Sequence, residues 1–485
     1  MSTQRHTVYN VVGAVLPMAV SLVTIPIYLE LIGAERYGVL AITWLLLGYF
    51  VLFDFGLGRA TAQRISALGG GRSEDSAHIF WTALIMNSGF GILGGITIFP
   101  IAVYFFKNVF VLETALSAEL FGAIPWLILA VPLTTISGVL TGALQGRSQF
   151  LELNITLIAG SSLTQILPLI VAFYHAPDLI WLIPTVLLSK MLTMLVLFAR
   201  CRRHVFSGYK IGVSKSIAIE MLRYGGWITL SSIISPLMVI LDRFIIGAVL
   251  GAKAVAYYTI PFQLAERTTI LSGSMAAALF PRLSAADTFE RDRLLEVSIR
   301  SLAAISTPAM IVGFFLIEPF LSVWLGPDFA TSTASTAQIL LLGFWINGYG
   351  QLTFASLQAA GKPHITAIIH FIELVPYLLL LYFGLNFYGL QGVAIAFGLR
   401  TLADTILLSW FSGTFLHSFR TLRMPIILIL SAFSVAIFLP VENILWWPSI
   451  AVSLLTSLIW SWKNSPNKIK RTLFNFNNST KLDVD

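Results

Sequence analysis

ITLSSIISPLMVILDRFIIGAVL, residues 228–250, is an apolar run of bilayer-spanning length with Asp242 and Arg243 inside it. The next apolar run, AVAYYTIPFQLAERTTILSGSMAAALF at 254–280, carries Glu266 and Arg267 in the same way. Charge at bilayer depth is expensive and marks function. These two stretches pose both questions of the chain: how it crosses a membrane, and what its buried charges hold.

The surrounding composition answers the first. The 485 residues are 57% hydrophobic and only 11% charged, well below the share of a soluble domain. The chain is therefore an all-α integral membrane protein. Fourteen apolar runs are long enough to span: 8–32, 37–57, 78–106, 120–144, 153–174, 179–199, 219–250, 254–280, 295–325, 333–358, 363–387, 389–416, 424–440 and 444–462. The first is too long for a signal peptide and lacks a small-residue cleavage site. The single cysteine, Cys201, excludes a disulfide and a thiolate metal site; its setting, RCRRH, reads as a free cytosolic thiol.

Basic residues orient the runs. With the N-terminus in the cytoplasm, twenty-two of the thirty Lys and Arg fall on the inner side, and outer segments hold only Arg36, Lys107 and Lys253. Both termini are expected inside. The net charge of +7 thus reflects membrane orientation rather than nucleic-acid binding. The tail from 463 is polar and basic, suited to anionic lipid.

The chain repeats itself. GAERYGVLAI at 33–42 matches GAKAVAYYTI at 251–260, an offset of 218, and the same offset aligns AQRIS at 62–66 with FPRLS at 280–284. ALQGRSQF (143–150) and SLQAAGKPHI (356–365) continue the order, as do SKML (189–192) and LRTL (399–402). Six spans per unit make the repeats parallel. The expected architecture is an N-terminal six-helix bundle at 1–199, a cytoplasmic linker at 200–218, a second bundle at 219–416 around a central cavity, a helix pair at 417–462 and the tail at 463–485. Pro17 and Pro26 in the first span, and Pro236 in the seventh, allow bends where each bundle begins.

Asp242 lies nine residues before Gly251 and Glu266 twelve after Ala254, so the two pairs are expected at similar depth. Adjacent helical residues diverge by about 100°, so Asp242 and Arg243 are not expected to face each other. Pairing of Asp242 with Arg267, or Arg243 with Glu266, is the expectation, with one cation left for a cavity. Arg400 and Lys190 lie near mid-depth, and Arg300 nearer the cytoplasm. An arginine fork suits a phosphate, so an anionic cargo would fit this lining. The alternative is helix locking, as for Arg400 and Asp404 at i,i+4. Asp54, Glu318 and Glu373 are candidates for ion coupling by H⁺ or Na⁺, and His370, one turn from Glu373, makes the best proton-relay pair. No GxxxxGK[ST] loop, HExxH or large outer loop occurs, so neither ATP nor membrane-enzyme chemistry is implied.

IPIYLELIGAERYGVLAI with DFGLGRATAQRIS (54–66), LDRFIIGAVLGAKAVAYYTIPFQL (241–264) and LQAAGKP (357–363) resemble polysaccharide-lipid flippases, the O-antigen-type branch of the multidrug/oligosaccharidyl-lipid/polysaccharide exporter superfamily. The resemblance spans essentially the whole chain. It implies a transporter, not an enzyme, in a bacterial cytoplasmic membrane. It also implies that the transporter moves undecaprenyl-diphosphate-linked oligosaccharide between leaflets by alternating access, without a cofactor. Membrane lipid is then the neighbour, the protein is a monomer, and a polysaccharide polymerase is left open as a partner. On this resemblance Arg243, Arg267, Arg400 and Lys190 hold the diphosphate, and Arg243→Ala is expected to abolish transport without disturbing folding. A multidrug antiporter of the same superfamily, or a polymerisation or ligation enzyme, are the other readings.

Overall fold

Glycine with a positive φ tells where the chain turns. The computed structural model describes residues 3–69, 73–232 and 234–465, all helix, turn or coil, with no strand among them. The basic tail beyond 465, the middle of GGGRS and the side chain of Pro236 lie outside the described residues.

Fourteen α-helices follow one another: α1 (Thr3–Tyr49), α2 (Leu57–Ala67), α3 (Glu74–Asn108), α4 (Thr114–Gly146), α5 (Phe150–Tyr174), α6 (Leu179–Cys201), α7 (Lys215–Ser232) and α8 (Ile234–Glu266). Then come α9 (Thr269–Ala285), α10 (Thr288–Leu325), α11 (Pro327–Ala359), α12 (Pro363–Phe411), α13 (Phe415–Phe438) and α14 (Trp446–Asn464). Ten helical segments among the described residues are long and apolar enough to cross a membrane. Three long helices change direction at a glycine: Gly33 (φ 76°) in α1, Gly251 (φ 82°) in α8 and Gly389 (φ 56°) in α12. A side chain is strained there and glycine is not. Gly33 and Gly251 each separate two of the predicted apolar runs and Gly389 opens one, which explains why GA recurs at 33–34 and 251–252.

The chain forms two compact units, Met1–Ala256 and Tyr257–Asp485. In the first, α4 is a track of small residues. A Cβ on Gly142 would lie 2.0 Å from the Gly58 carbonyl oxygen, and one on Gly146 2.8 Å from that of Ala62. Backbones can approach this closely only without side chains between them. Asn87 and Thr135 bond reciprocally across α3 and α4, Asn87 Nδ2 to Thr135 O at 2.9 Å and Thr135 Oγ1 to Asn87 O at 3.1 Å. The core beneath holds Leu57, Phe80, Leu140, Leu144 and Cys201. Cys201 is thus a core residue rather than an exposed thiol, its Sγ 3.3 Å from the Leu140 carbonyl. The two copies of the repeated turn also meet in this unit: a Cβ on Gly38 would lie 1.9 Å from the Ala252 carbonyl oxygen.

In the second unit α11 is central, packed by α9, α10 and α12. Gln338 ties three helices, its Nε2 donating to Phe314 O (3.0 Å) on α10 and Ala436 O (3.2 Å) on α13. The two arms of α12 close on each other at Gly384 and Gly392, where a Cβ would lie 1.9 Å from backbone oxygen. Large apolar side chains such as Ile92 and Ile96 in the first unit, or Phe371 and Val375 in the second, face outward, as expected where the surrounding solvent is lipid.

Candidate functional site

Asp242 and Arg243 are both buried, 1% and 3% exposed. They pair with each other, against expectation. Arg243 Nη1 lies 2.7 Å from both Asp242 carboxylate oxygens, and the Arg243 backbone N–H donates to Oδ1 at 2.6 Å. The short aspartate folds forward onto its neighbour's amide, and the long guanidinium curls back to meet it. The 100° divergence of their Cα–Cβ bonds is overcome by the reach of arginine. The result is a self-neutralised pair inside α8.

Glu266 and Arg267 occupy a different setting. They do not lie within a continuous helix: α8 ends at Glu266 and α9 starts at Thr269. Glu266 is exposed and Arg267 partly so. No ion pair engages Arg267 among the described residues. The first repeat breaks at the corresponding place, since α1 ends at Tyr49 and 49 plus the offset of 218 is 267. There a 3-10 turn, Phe50–Asp54, leads into α2. Asp54 is spent on that break. Its Oδ1 accepts the Gly56 N–H at 2.6 Å just before α2 begins, and Gly138 of α4 packs on its carboxylate. The carboxylate thus braces the turn that leads into α2.

The α12 hairpin gathers four ionisable side chains. His370 and Glu373 stand on its first arm, Arg400 and Asp404 on its second. Arg400 does not pair with Asp404 at i,i+4, and His370 does not pair with Glu373. The contacts run across the hairpin instead: His370 Nε2 to Asp404 Oδ1 at 3.4 Å, and Arg400 Nε to Glu373 Oε2 at 3.9 Å. Arg400 also lies over the Tyr377 ring, 5.5 Å from its centroid. The Gly384–Gly392 contact draws the arms together, which makes the opposite arm nearer than the next turn of the same helix.

Lys190 lies halfway along α6, partly exposed, with no ion pair among the described residues. Arg300 is an exposed residue of α10 paired with Glu296 at 3.2 Å. Glu318 is partly buried on the same helix without an ion pair among the described residues. No group of three His, Cys, Asp or Glu that could hold a metal occurs among the described residues.

Sequence reasoning missed a clamp at Arg36. Its Nε donates to Glu119 Oε2 at 2.9 Å and its Nη2 to Asp178 Oδ1 at 3.0 Å, while the Leu179 N–H donates to Glu119 Oε2 at 3.0 Å. Three segments, 33–38, α4 and the start of α6, are thereby fastened. The hint was one basic and two acidic residues sharing the expected outer side, but nothing in spacing shows that they meet. Arg64 with Glu220, and Glu152 with Arg200 and His204, fasten the opposite ends. In the 147–149 turn, Arg147 Nη1 donates to the Gly69 carbonyl at 2.8 Å, and burial pulls its guanidinium down from its ordinary value.

The lipid II flippase MurJ, in an inward closed conformation, superposes with a TM-score of 0.70 at 15% identity, over 97% of this chain and 100% of that one. An inward-facing multidrug resistance MATE family transporter of the MOP superfamily gives 0.68 at 18% identity, over 87% and 99%. The fold is therefore that of MOP-superfamily transporters. Residues 30–334 match the family described as polysaccharide biosynthesis protein, and the chain belongs to that family. A Shigella flexneri protein named as an O-antigen transporter is 30% identical over 84% of this chain and 97% of its own length. A Haloferax volcanii protein named as the low-salt glycan biosynthesis flippase Agl15 is 24% identical over 86% and 84%. The chain is thus a multi-pass membrane protein whose relatives are named for transport rather than catalysis.

Proposed function

We propose that the protein carries undecaprenyl-diphosphate-linked oligosaccharide from the inner to the outer leaflet of a bacterial cytoplasmic membrane, by alternating access, for surface polysaccharide synthesis. Both termini are cytoplasmic in this reading, and no nucleotide drives the step. The names of the relatives support a lipid-linked glycan as cargo. The observation that carries the reading is that Lys190 and Arg267 lie in or beside apolar segments with no ion pair among the described residues. A cation left so is a cost unless an anion arrives, and a diphosphate supplies one. Arg400, half-neutralised by Glu373, is a further cation that could meet an anion. Arg243, held by Asp242, is a positioning residue. Arg300 serves only as a peripheral attraction.

Deleting the gene in its host, with measurement of surface polymer and of the leaflet that holds the lipid-linked precursor, tests this. Loss of polymer with precursor on the cytoplasmic leaflet is expected. Precursor accumulating on the outer leaflet would replace flipping with polymerisation or ligation.

A further inference from the structure

The four-residue cluster in α12 is not satisfied. Glu373 is 6% exposed, and neither carboxylate oxygen has a hydrogen-bond partner among the described residues. The same is true of Asp404 Oδ1 and Arg400 Nε. The Arg400–Glu373 approach of 3.9 Å is an ion pair without a hydrogen bond. Leaving buried charged oxygens so is expensive. With Glu373, Asp404 and Arg400 ionised and the His370 imidazole uncharged, the cluster carries one net negative charge. One proton makes it neutral, on an imidazole already 3.4 Å from Asp404 or on Glu373 itself.

The neighbours add no competing charge. α11 contributes Phe354, stacked on the His370 ring at 6.0 Å, and Gly350, beside the Asp404 carboxylate. The ionisable residues of α11 are Asp328, in its first turn, and Tyr349, whose hydroxyl is 3.3 Å from Ser306 Oγ. Those of α13 are His417, Arg420 and Arg423, and none forms an ion pair with the cluster among the described residues. The imidazole and the two carboxylates do not converge closely enough to hold a metal ion.

We infer that the α12 hairpin is a proton-binding site, in which His370, Glu373 and Asp404 share one exchangeable proton whose presence lifts the net negative charge around the Arg400 guanidinium. Without the proton, Glu373 and Asp404 outnumber Arg400. With it, the cluster is neutral and no longer repels an anion that approaches Arg400. Protonation therefore strengthens anion binding, and departure of the proton weakens it. The second half of this statement rests on Arg400 being a substrate cation, as proposed above; the first half does not.

Two measurements on the full chain in lipid nanodiscs separate them. Infrared difference spectra between acid and alkaline pH should show a protonation signal that is altered in Glu373→Gln, Asp404→Asn and His370→Gln and unchanged in Glu318→Gln. Spectra of the three cluster variants identical to wild type would overturn the proton site. Inorganic pyrophosphate is then titrated across pH by calorimetry. Its affinity should rise toward acid by up to about tenfold per pH unit, the limit for one linked proton, beyond the slope seen in Glu373→Gln. Equal slopes in wild type and variant would overturn the linkage. No pyrophosphate binding alongside a normal infrared signal would remove Arg400 as a substrate cation and leave the proton site standing.

Discussion

The two units answer the same problem differently. Each takes charge to membrane depth, and each has a broken span at corresponding positions. In the first unit the charges are engaged locally: Asp54 accepts the Gly56 N–H at its break, and Asp242 and Arg243 close on each other. In the second, Arg267 sits at the break with no acidic partner among the described residues, and the α12 cluster is short of hydrogen bonds. The backbone break recurs in the two repeats while the side chains at it differ, Asp54 at one and Arg267 at the other.

Breaking that contrast ranks the residues. Arg243→Ala removes the cation paired with Asp242 and is expected to cost about 3–5 kcal/mol, read as lost folded yield; replacing both by apolar residues of similar size should restore it. This differs from a variant that inserts normally but does not transport. Arg267→Ala should be that variant, with wild-type thermal stability in detergent and surface polymer cut by about 10- to 100-fold, the loss of one charged hydrogen bond of about 1.5–3 kcal/mol. A stably inserted Arg267→Ala protein with normal polymer would erase the distinction between the two breaks. Asp54→Ala is expected to cost about 1 kcal/mol of stability through the lost bond to the Gly56 N–H while transport persists. Arg300→Ala, opening an exposed i,i+4 pair, should change stability by less than about 0.5 kcal/mol.

The helices were legible because apolar length alone calls for a membrane, and every predicted run has its greater part on helix among the described residues. The recurring GA pair was legible as a repeat, but its meaning as a positive-φ turn required the backbone. Pairing was not legible. Periodicity reports which residues share a face, so Arg400 was matched to Asp404 one turn away. The hairpin made Glu373 the partner, through a glycine contact 16 residues and 8 residues before Arg400 at Gly384 and Gly392. Asp242 and Arg243 failed for the opposite reason: backbone angles were considered and side-chain reach was not. The Arg36 clamp joins residues 83 and 142 apart in the chain, beyond any local pattern.

The close hairpin of α12 also bears on how the chain is made. Glu373 emerges from the ribosome 27 residues before Arg400. If the first arm entered the lipid alone, Glu373 would cross it without a cation. Because Gly389 reverses the chain and Gly384 and Gly392 let the arms touch, they can leave the insertion machinery as one folded pair with acid and base already opposed. A bulky residue at Gly392 would then be felt first during biogenesis, as a chain degraded before it is ever a transporter.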